Sequence, residues 1–226
     1  MRATSPTPAG TAALITFFVL FFSLLGFLPA GAAAQSAENT SSGADPSINA
    51  YYLDADVQRW KRVFENARRE IFRERFRIVQ AVRPQPGMRV ADVGAGTGFF
   101  SLLFARAVGP EGRVYAVDIS ETFLAEIRRL AVEDYRVQNV ETVLNDQSGI
   151  GLPQASLDLV FICDTYHHFE QPQRMLASIA TALDDGGELI LIDFRRIQGA
   201  SSPWVMGHVR ANREEVIEEF RVAGFD

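Results

Sequence analysis

The sequence predicts an α/β fold: a mainly parallel, doubly wound sheet with helices on both faces and a helical segment ahead of it. Three observations carry this. Val90, Ala91, Asp92 and Val93 form a short apolar run that stops at Gly94, Gly96 and Gly98, and a helical pattern of Phe100, Leu103, Phe104 and Ala107 begins at once. Further apolar runs at 114–117, 140–144, 157–163 and 189–192 are separated by amphipathic stretches and turns, the order expected of β–α–β units. The run at 157–163 is nearly continuous in apolar residues, as a strand covered on both faces must be.

Composition narrows the partners. The chain has 226 residues, enough for one domain with an appendage. Its net charge is −6, and of its 22 basic residues all but Lys61 are arginine. Nucleic acid is therefore not expected as a partner, since backbone binding needs a net basic face. Cys163, the only cysteine, permits no internal disulfide and lies in an apolar run, so a small core residue is its expected role.

The N-terminus carries a separate pattern. Arg2 precedes an uncharged run at 12–28 rich in Phe and Leu, followed by Pro29 and by Gly31, Ala32, Ala33 and Ala34. This predicts a secretory signal in residues 1–34, cleaved after Ala34, with an uncleaved membrane anchor as the alternative because the run reaches the lower limit of a span. With no basic residue between Arg2 and Arg59, either version puts the body of the protein outside the cytoplasm, in the periplasm or its equivalent. Contact with a membrane is expected only through this segment. Residues 35–50, rich in Ser, Ala, Asn and Gly, read as a linker.

From 51 to 86 the pattern is helical. Val57, Trp60, Phe64, Ala67 and Ile71 recur at spacings of three and four, and Ile78, Val79 and Val82 continue the face, predicting one or two amphipathic helices that end at Pro84 and Pro86. Covering one side of the sheet is the expected role. A lid over a site, with Tyr51 and Tyr52 at its edge, is the alternative.

Residues 87–226 form the catalytic-type domain. Glycines at 94, 96 and 98 let the backbone turn sharply and admit a ligand where a Cβ would collide, while the helix start behind them offers free N–H groups. A dinucleotide fingerprint, G-x-G-x-x-G, would put glycine at position 99, where this chain has Phe99. The pattern here is G-x-G-x-G. With Asp92 two residues ahead, the stretch Asp92, Val93, Gly94, Ala95, Gly96, Thr97, Gly98 resembles the first motif of the class I S-adenosylmethionine (SAM) dependent methyltransferases. Asp118, at the end of the second strand, suits a ribose because a carboxylate offers acceptors and no donors. The resemblance implies the same role, with Ile119 beside it in the cofactor site. It further implies Asp146, after the third strand, as partner of the adenine amine, although Asn145 and Asp146 are equally a turn pair.

Asp164, Thr165, Tyr166, His167, His168 and Phe169 resemble the family's fourth motif, whose residues face both the methionine end of SAM and the acceptor. Asp164 and His167 are the expected groups for orienting or deprotonating an acceptor, since carboxylate and imidazole take a proton near neutral pH. His168 is the third candidate. Adjacent residues of a regular element point different ways, so one histidine is expected to face the site and the other to pack or cap. No metal is expected, because neighbouring histidines lack the i, i+4 spacing that aims two rings at one ion. Arg195, Arg196, His208 and Arg210 fall on the acceptor side, either holding an anionic group or solvated.

The resemblance implies a Rossmann-like sheet of strand order 3-2-1-4-5. In the family two more strands, one antiparallel, normally complete seven. Here the chain ends at Phe225 and Asp226, so those strands are expected to be absent, leaving a fragment or an open apolar edge on the fifth strand. The expected activity is methyl transfer from SAM to a small-molecule acceptor. The alternatives are an exported protein that keeps the fold without activity, and an NAD-dependent oxidoreductase, which Asp118 permits and Phe99 opposes.

Overall fold

The computed structural model describes residues 17–23 and 43–226. Its sheet contains β1 (Phe17–Ser23), β2 (Arg89–Val93), β3 (Arg113–Asp118), β4 (Val140–Leu144), β5 (Leu157–Cys163) and β6 (Leu183–Phe194) in the spatial order β1-β6-β5-β2-β3-β4. Strands β2 to β6 are mutually parallel, and read as first to fifth they have the expected 3-2-1-4-5 order. β2 is central, with Ala91 opposite Tyr115 on one side and Val160 on the other.

Nine helices accompany the sheet among the described residues. α1 (Ala50–Leu53), α2 (Val57–Phe64), α3 (Glu70–Arg73) and α4 (Arg75–Val82) precede β2. α5 (Phe99–Val108) follows it, and α6 (Glu121–Leu130) follows β3 and runs into a π turn at Ala131–Tyr135. α7 (Pro172–Ala182) precedes β6, while α8 (Pro203–His208) and α9 (Arg213–Val222) come after it.

The two faces of the sheet are sorted by the period-two alternation of its strands. Phe161 and Ile190 pack on one side against Phe100 and Phe104 of α5 and Ile78 and Val82 of α4. Val160, Ile162, Leu189 and Leu191 pack on the other against Leu176 and Ile179 of α7 and Val216 and Phe220 of α9. Each such side chain contributes about 1.5–3 kcal/mol on full burial. α9 starts on a capping box between Asn212 and Glu215, and the chain then folds back so that Phe225 is buried and its N–H donates to Phe220 O at 3.0 Å.

Three expectations change. The N-terminal helical segment is four short pieces, because Asn66 Oδ1 accepts from the Arg68 N–H at 2.9 Å and turns the chain between α2 and α3. Of the expected linker, residues 43–49 are packed: the Ala44 N–H donates to Phe169 O at 2.9 Å, and Asn49 Nδ2 donates to His168 O at 3.0 Å. The outer edge of β6, expected to be open, is paired with β1, which runs antiparallel with Phe17 opposite Phe194 and Ser23 opposite Glu188. Apart from 17–23, the leader expected over residues 1–34 lies outside the described residues. No helix among the described residues is long and apolar enough to cross a membrane.

Candidate active site

A cavity of about 580 Å³ opens at the carboxyl ends of β2, β3 and β5, within the range of about 300–1,000 Å³ usual for small-molecule sites. Its floor is the loop between β2 and α5. Gly94, Gly96 and Gly98 have φ of 75°, 54° and 80°, the left-handed region that glycine enters without strain. At Gly94 a Cβ would lie 2.2 Å from the Thr165 side chain, so the loop touches the β5 exit only because it carries no side chain there. Gly98 caps α5 and is backed by Ile127, while Gly94, Ala95, Gly96 and Thr97 line the cavity. The Thr97 hydroxyl is buried without a hydrogen-bond partner, a polar atom left for a ligand.

Two buried carboxylates flank this loop. Asp118 Oδ2 accepts from the Gly96 N–H at 2.8 Å and Oδ1 from the Ser120 N–H at 2.9 Å, which fixes its orientation and leaves each oxygen a second lone pair. Burial pushes its pKa up to about 6, with those backbone donors opposing. Asp92 Oδ2 accepts from the Ser101 hydroxyl at 2.6 Å, and burial raises it further, to about 7. Ile119 and Phe123 continue the wall. Asp146 is not part of it: its carboxylate accepts from the Ser148 N–H and hydroxyl in an exposed turn, and Asn145 and Gln147 face the cavity instead.

The other half of the cavity is ringed by aromatics and imidazoles. Tyr52, Trp60 and Phe64 form a continuous stack from α1 and α2, with centroids 4.7 Å and 5.0 Å apart along it, and Phe64 reaches over Gly96. Within the predicted helical segment, α4 packs on the sheet and residues of α1 and α2 line the cavity. Asp164, at φ 56°, pairs with Arg69 from the turn before α3; burial raises its carboxyl and the Arg69 guanidinium opposes that.

His167 and His168 sit together on the 3-10 turn Tyr166–His168, and both line the cavity with ring centroids 4.3 Å apart. The expectation that only one would face the site assumed a regular element, and the tight turn breaks that assumption. His167 Nδ1 lies 2.8 Å from Asp193 Oδ1 at the end of β6. Burial works to lower the His167 pKa, but the Asp193 carboxylate outweighs it and the net direction is up. His168 is held down to about 2 by burial and by its two histidine neighbours, and His208, which stacks on Trp204, is lowered by burial. Arg210 is spent on Glu219, at 2.7 Å to both carboxylate oxygens, and Arg195 is exposed. Neither lines the cavity.

Sequence reasoning passed over Asn49, Arg69 and Asp193. Only Asp193 had a legible signal, its place at the carboxyl end of a parallel strand. Asn49 and Arg69 arrive from segments whose docking no local pattern encodes.

Residues 90–187 match the family described as methyltransferase domain. The likeness to a methyltransferase lies in this stretch, fewer than half of the chain's residues. The ubiquinone/menaquinone biosynthesis C-methyltransferase UbiE of Bordetella parapertussis is 30% identical over 119 residues, 53% of this chain and 45% of that protein. The chain thus spans about half the length of the curated relatives it matches. In fold, the domain is similar to a SAM-dependent methyltransferase from Aquifex aeolicus, with a TM-score of 0.66 at 24% identity over 76% of this chain and 89% of that one. It is also similar to the [4+2]-cyclase SpnF, with a TM-score of 0.60 at 23% identity over 68% of this chain and 56% of that one. The glycine floor with its orphan Thr97 hydroxyl fits a nucleotide-like ligand, and SAM is the cofactor named for the Aquifex aeolicus neighbour.

Proposed function

We propose that the chain transfers a methyl group from SAM to a small, largely aromatic acceptor. The observation that carries this reading is that one cavity joins the glycine floor and Asp118 to the chamber of rings and histidines, so cofactor and acceptor meet without crossing solvent. SAM, when bound, supplies a methyl activated by its sulfonium. Asp118 would accept from the ribose hydroxyls, the backbone of Gly94–Thr97 would hold the rest of the cofactor, and Asp164 lines the same cavity. His167, held in place by Asp193 and made the more basic of the pair by that carboxylate, is the group suited to take a proton from an acceptor, whereas His168 is kept neutral and weakly basic by burial. The Bordetella relative is named for C-methylation in ubiquinone and menaquinone biosynthesis, and an aromatic acceptor suits the ring-lined chamber here.

A cyclase on a similar fold is the reason to test binding and transfer separately. Calorimetry on the full chain should show one SAM site, and incubation with methyl-labelled SAM and a panel of phenolic compounds should yield labelled product. Absence of SAM binding would sink the reading; binding without transfer to any acceptor, including those in a cell extract, would favour the inactive-scaffold alternative.

We further place the protein outside the cytoplasm, on the pattern of Arg2, the apolar run at 12–28 and the small residues Ala32 and Ala34. N-terminal sequencing of the native protein should return Gln35 in a soluble extracytoplasmic fraction, or Met1 in a membrane fraction for the anchored version. A cytoplasmic protein that begins at Met1 contradicts both.

A further inference from the structure

We propose that His167, His168 and His208 form a divalent transition-metal site of the zinc type, with its open position toward the acceptor half of the cavity. One ring nitrogen from each of the three lies within 4.8 Å of the others, and all three rings line the same cavity. Three histidines with a vacant fourth position are the pattern of catalytic rather than structural zinc sites.

The hydrogen bonds around the rings decide which nitrogens are free. Asn49 Nδ2 donates to His168 O at 3.0 Å and to Glu170 Oε1 at 2.8 Å, so its Oδ1, 3.1 Å from His168 Nδ1, must be accepting there. His168 therefore carries its proton on Nδ1 and offers the lone pair of Nε2. Asp193 imposes the same tautomer on His167, its Oδ1 accepting from Nδ1–H at 2.8 Å while its other oxygen accepts from the His167 backbone N–H at 3.1 Å. Carboxylate or amide oxygens behind ligating histidines are the usual device that orients the ring and raises its basicity. Neither ring nitrogen of His208 is engaged by another described residue, and Trp204 stacks on that ring at 4.6 Å.

The charge environment agrees. Asp193 touches His167, and Asp164, itself paired with Arg69, lies with both of them in a second group whose ligand atoms are within 4.8 Å of one another, so Asp193 is the carboxylate left to face the incoming cation. A tetrahedral ion with metal–nitrogen bonds of about 2.0–2.1 Å needs its ligand nitrogens about 3.3 Å apart, a spacing inside the 4.8 Å within which the three lie. His208 is the last residue of α8, a six-residue helix after β6, and is half-buried. The absence of thiolate ligands favours zinc, nickel, cobalt or copper over softer sites, and three imidazoles suit zinc.

What the ion does rests on the methyltransferase reading; that it binds does not. A phenolic hydroxyl of the acceptor takes the fourth position and its proton leaves to water, because coordination lowers the pKa of a bound O–H. The methyl carbon then bonds to the activated acceptor as its bond to sulfur breaks, with that electron pair staying on sulfur.

The test uses the full chain without a polyhistidine tag, stripped with a chelator and titrated with Zn²⁺ by calorimetry and with Co²⁺ in the visible. One equivalent of each is expected, the cobalt form showing the intense ligand-field bands of four-coordination. Asp193→Asn should weaken Zn²⁺ by about 10–100-fold. His208→Ala should weaken it by more, with the metal-free melting temperature and SAM affinity unchanged. Substoichiometric uptake, or uptake unchanged in His208→Ala, overturns the site. A chain that binds Zn²⁺ and not SAM keeps the site and loses the methyltransferase reading; one that binds SAM and not Zn²⁺ does the reverse.

Discussion

Asp118 illustrates how a side chain is prepared by its backbone. Its two oxygens are each anchored by one N–H, from Gly96 and Ser120, so no rotamer freedom is lost when a ribose arrives. Asp118→Ala should weaken SAM binding by a few kcal/mol, on the scale of about 1.5–3 kcal/mol per hydrogen bond to a charged group. Because that change also frees the Gly96 N–H, Asp118→Asn, which keeps one acceptor, should give an intermediate loss; calorimetry on both variants checks the order, and an unaltered affinity contradicts the ribose role. Gly94→Ala tests the loop itself. The new methyl meets Thr165 at a φ of 75°, so a destabilisation above about 1 kcal/mol is expected, read as a lower urea midpoint. The cofactor half was legible at this scale because a glycine turn and a strand-end acid each have one local physical cause. The histidine half was not. That His167 and His168 face one way depends on a 3-10 turn, and that His208 joins them depends on the docking of α8, whose last residue it is.

At the scale of elements, four of the five parallel strands were read within a residue or so, since a run such as 157–163 has to be buried on both faces wherever it goes. β6 instead begins at Leu183, well before the apolar run at 189–192, because the stretch with Gly186 and Gly187 continues as strand. The order of those strands came from a resemblance, not from any pattern within them. What the sequence could not convey was the partner of the β6 edge. Residues 17–23 belong to a stretch whose composition reads as a leader, yet the same apolar, aromatic-rich residues have high strand propensity and fit an edge that lacks a neighbour. These two fates compete. Removal of residues 1–34 strips β1 from the sheet and exposes the β6 backbone from Glu188 to Phe194. A chain beginning at Gln35 should therefore melt at a lower temperature than the full chain, or dimerise through that edge, as sedimentation would reveal. Equal melting temperatures and a monomer would show that β1 contributes nothing to the sheet.

For the whole molecule, placing two carboxylates in one buried sheet end links function to stability through protons. Asp92 and Asp118 have folded-state pKa values of about 7 and about 6, both raised from 3.8 chiefly by burial. Between pH 4 and 7 the native state therefore holds more protons than the unfolded chain, and stability falls as pH rises. Their stabilising contribution is complete below pH 3.8 and is lost as pH passes through the folded values. Surface acids such as Asp158, held low by Arg89, act in the opposite direction but titrate below this window. Asp92→Asn isolates the effect, since it keeps an acceptor for Ser101 and removes the charge. It should be more stable than the parent at pH 7.5, by a few kcal/mol at most, and indistinguishable from it near pH 4, as urea unfolding at the two pH values would measure. SAM reverses the sense for Asp118, because the ribose needs the ionised form, so the rise in melting temperature on adding SAM should be larger at pH 7.5 than at pH 5. An increment independent of pH, together with an Asp92→Asn curve parallel to the parent's, would mean that these carboxylates are not held protonated by burial and that the site carries its charge at no cost to the fold.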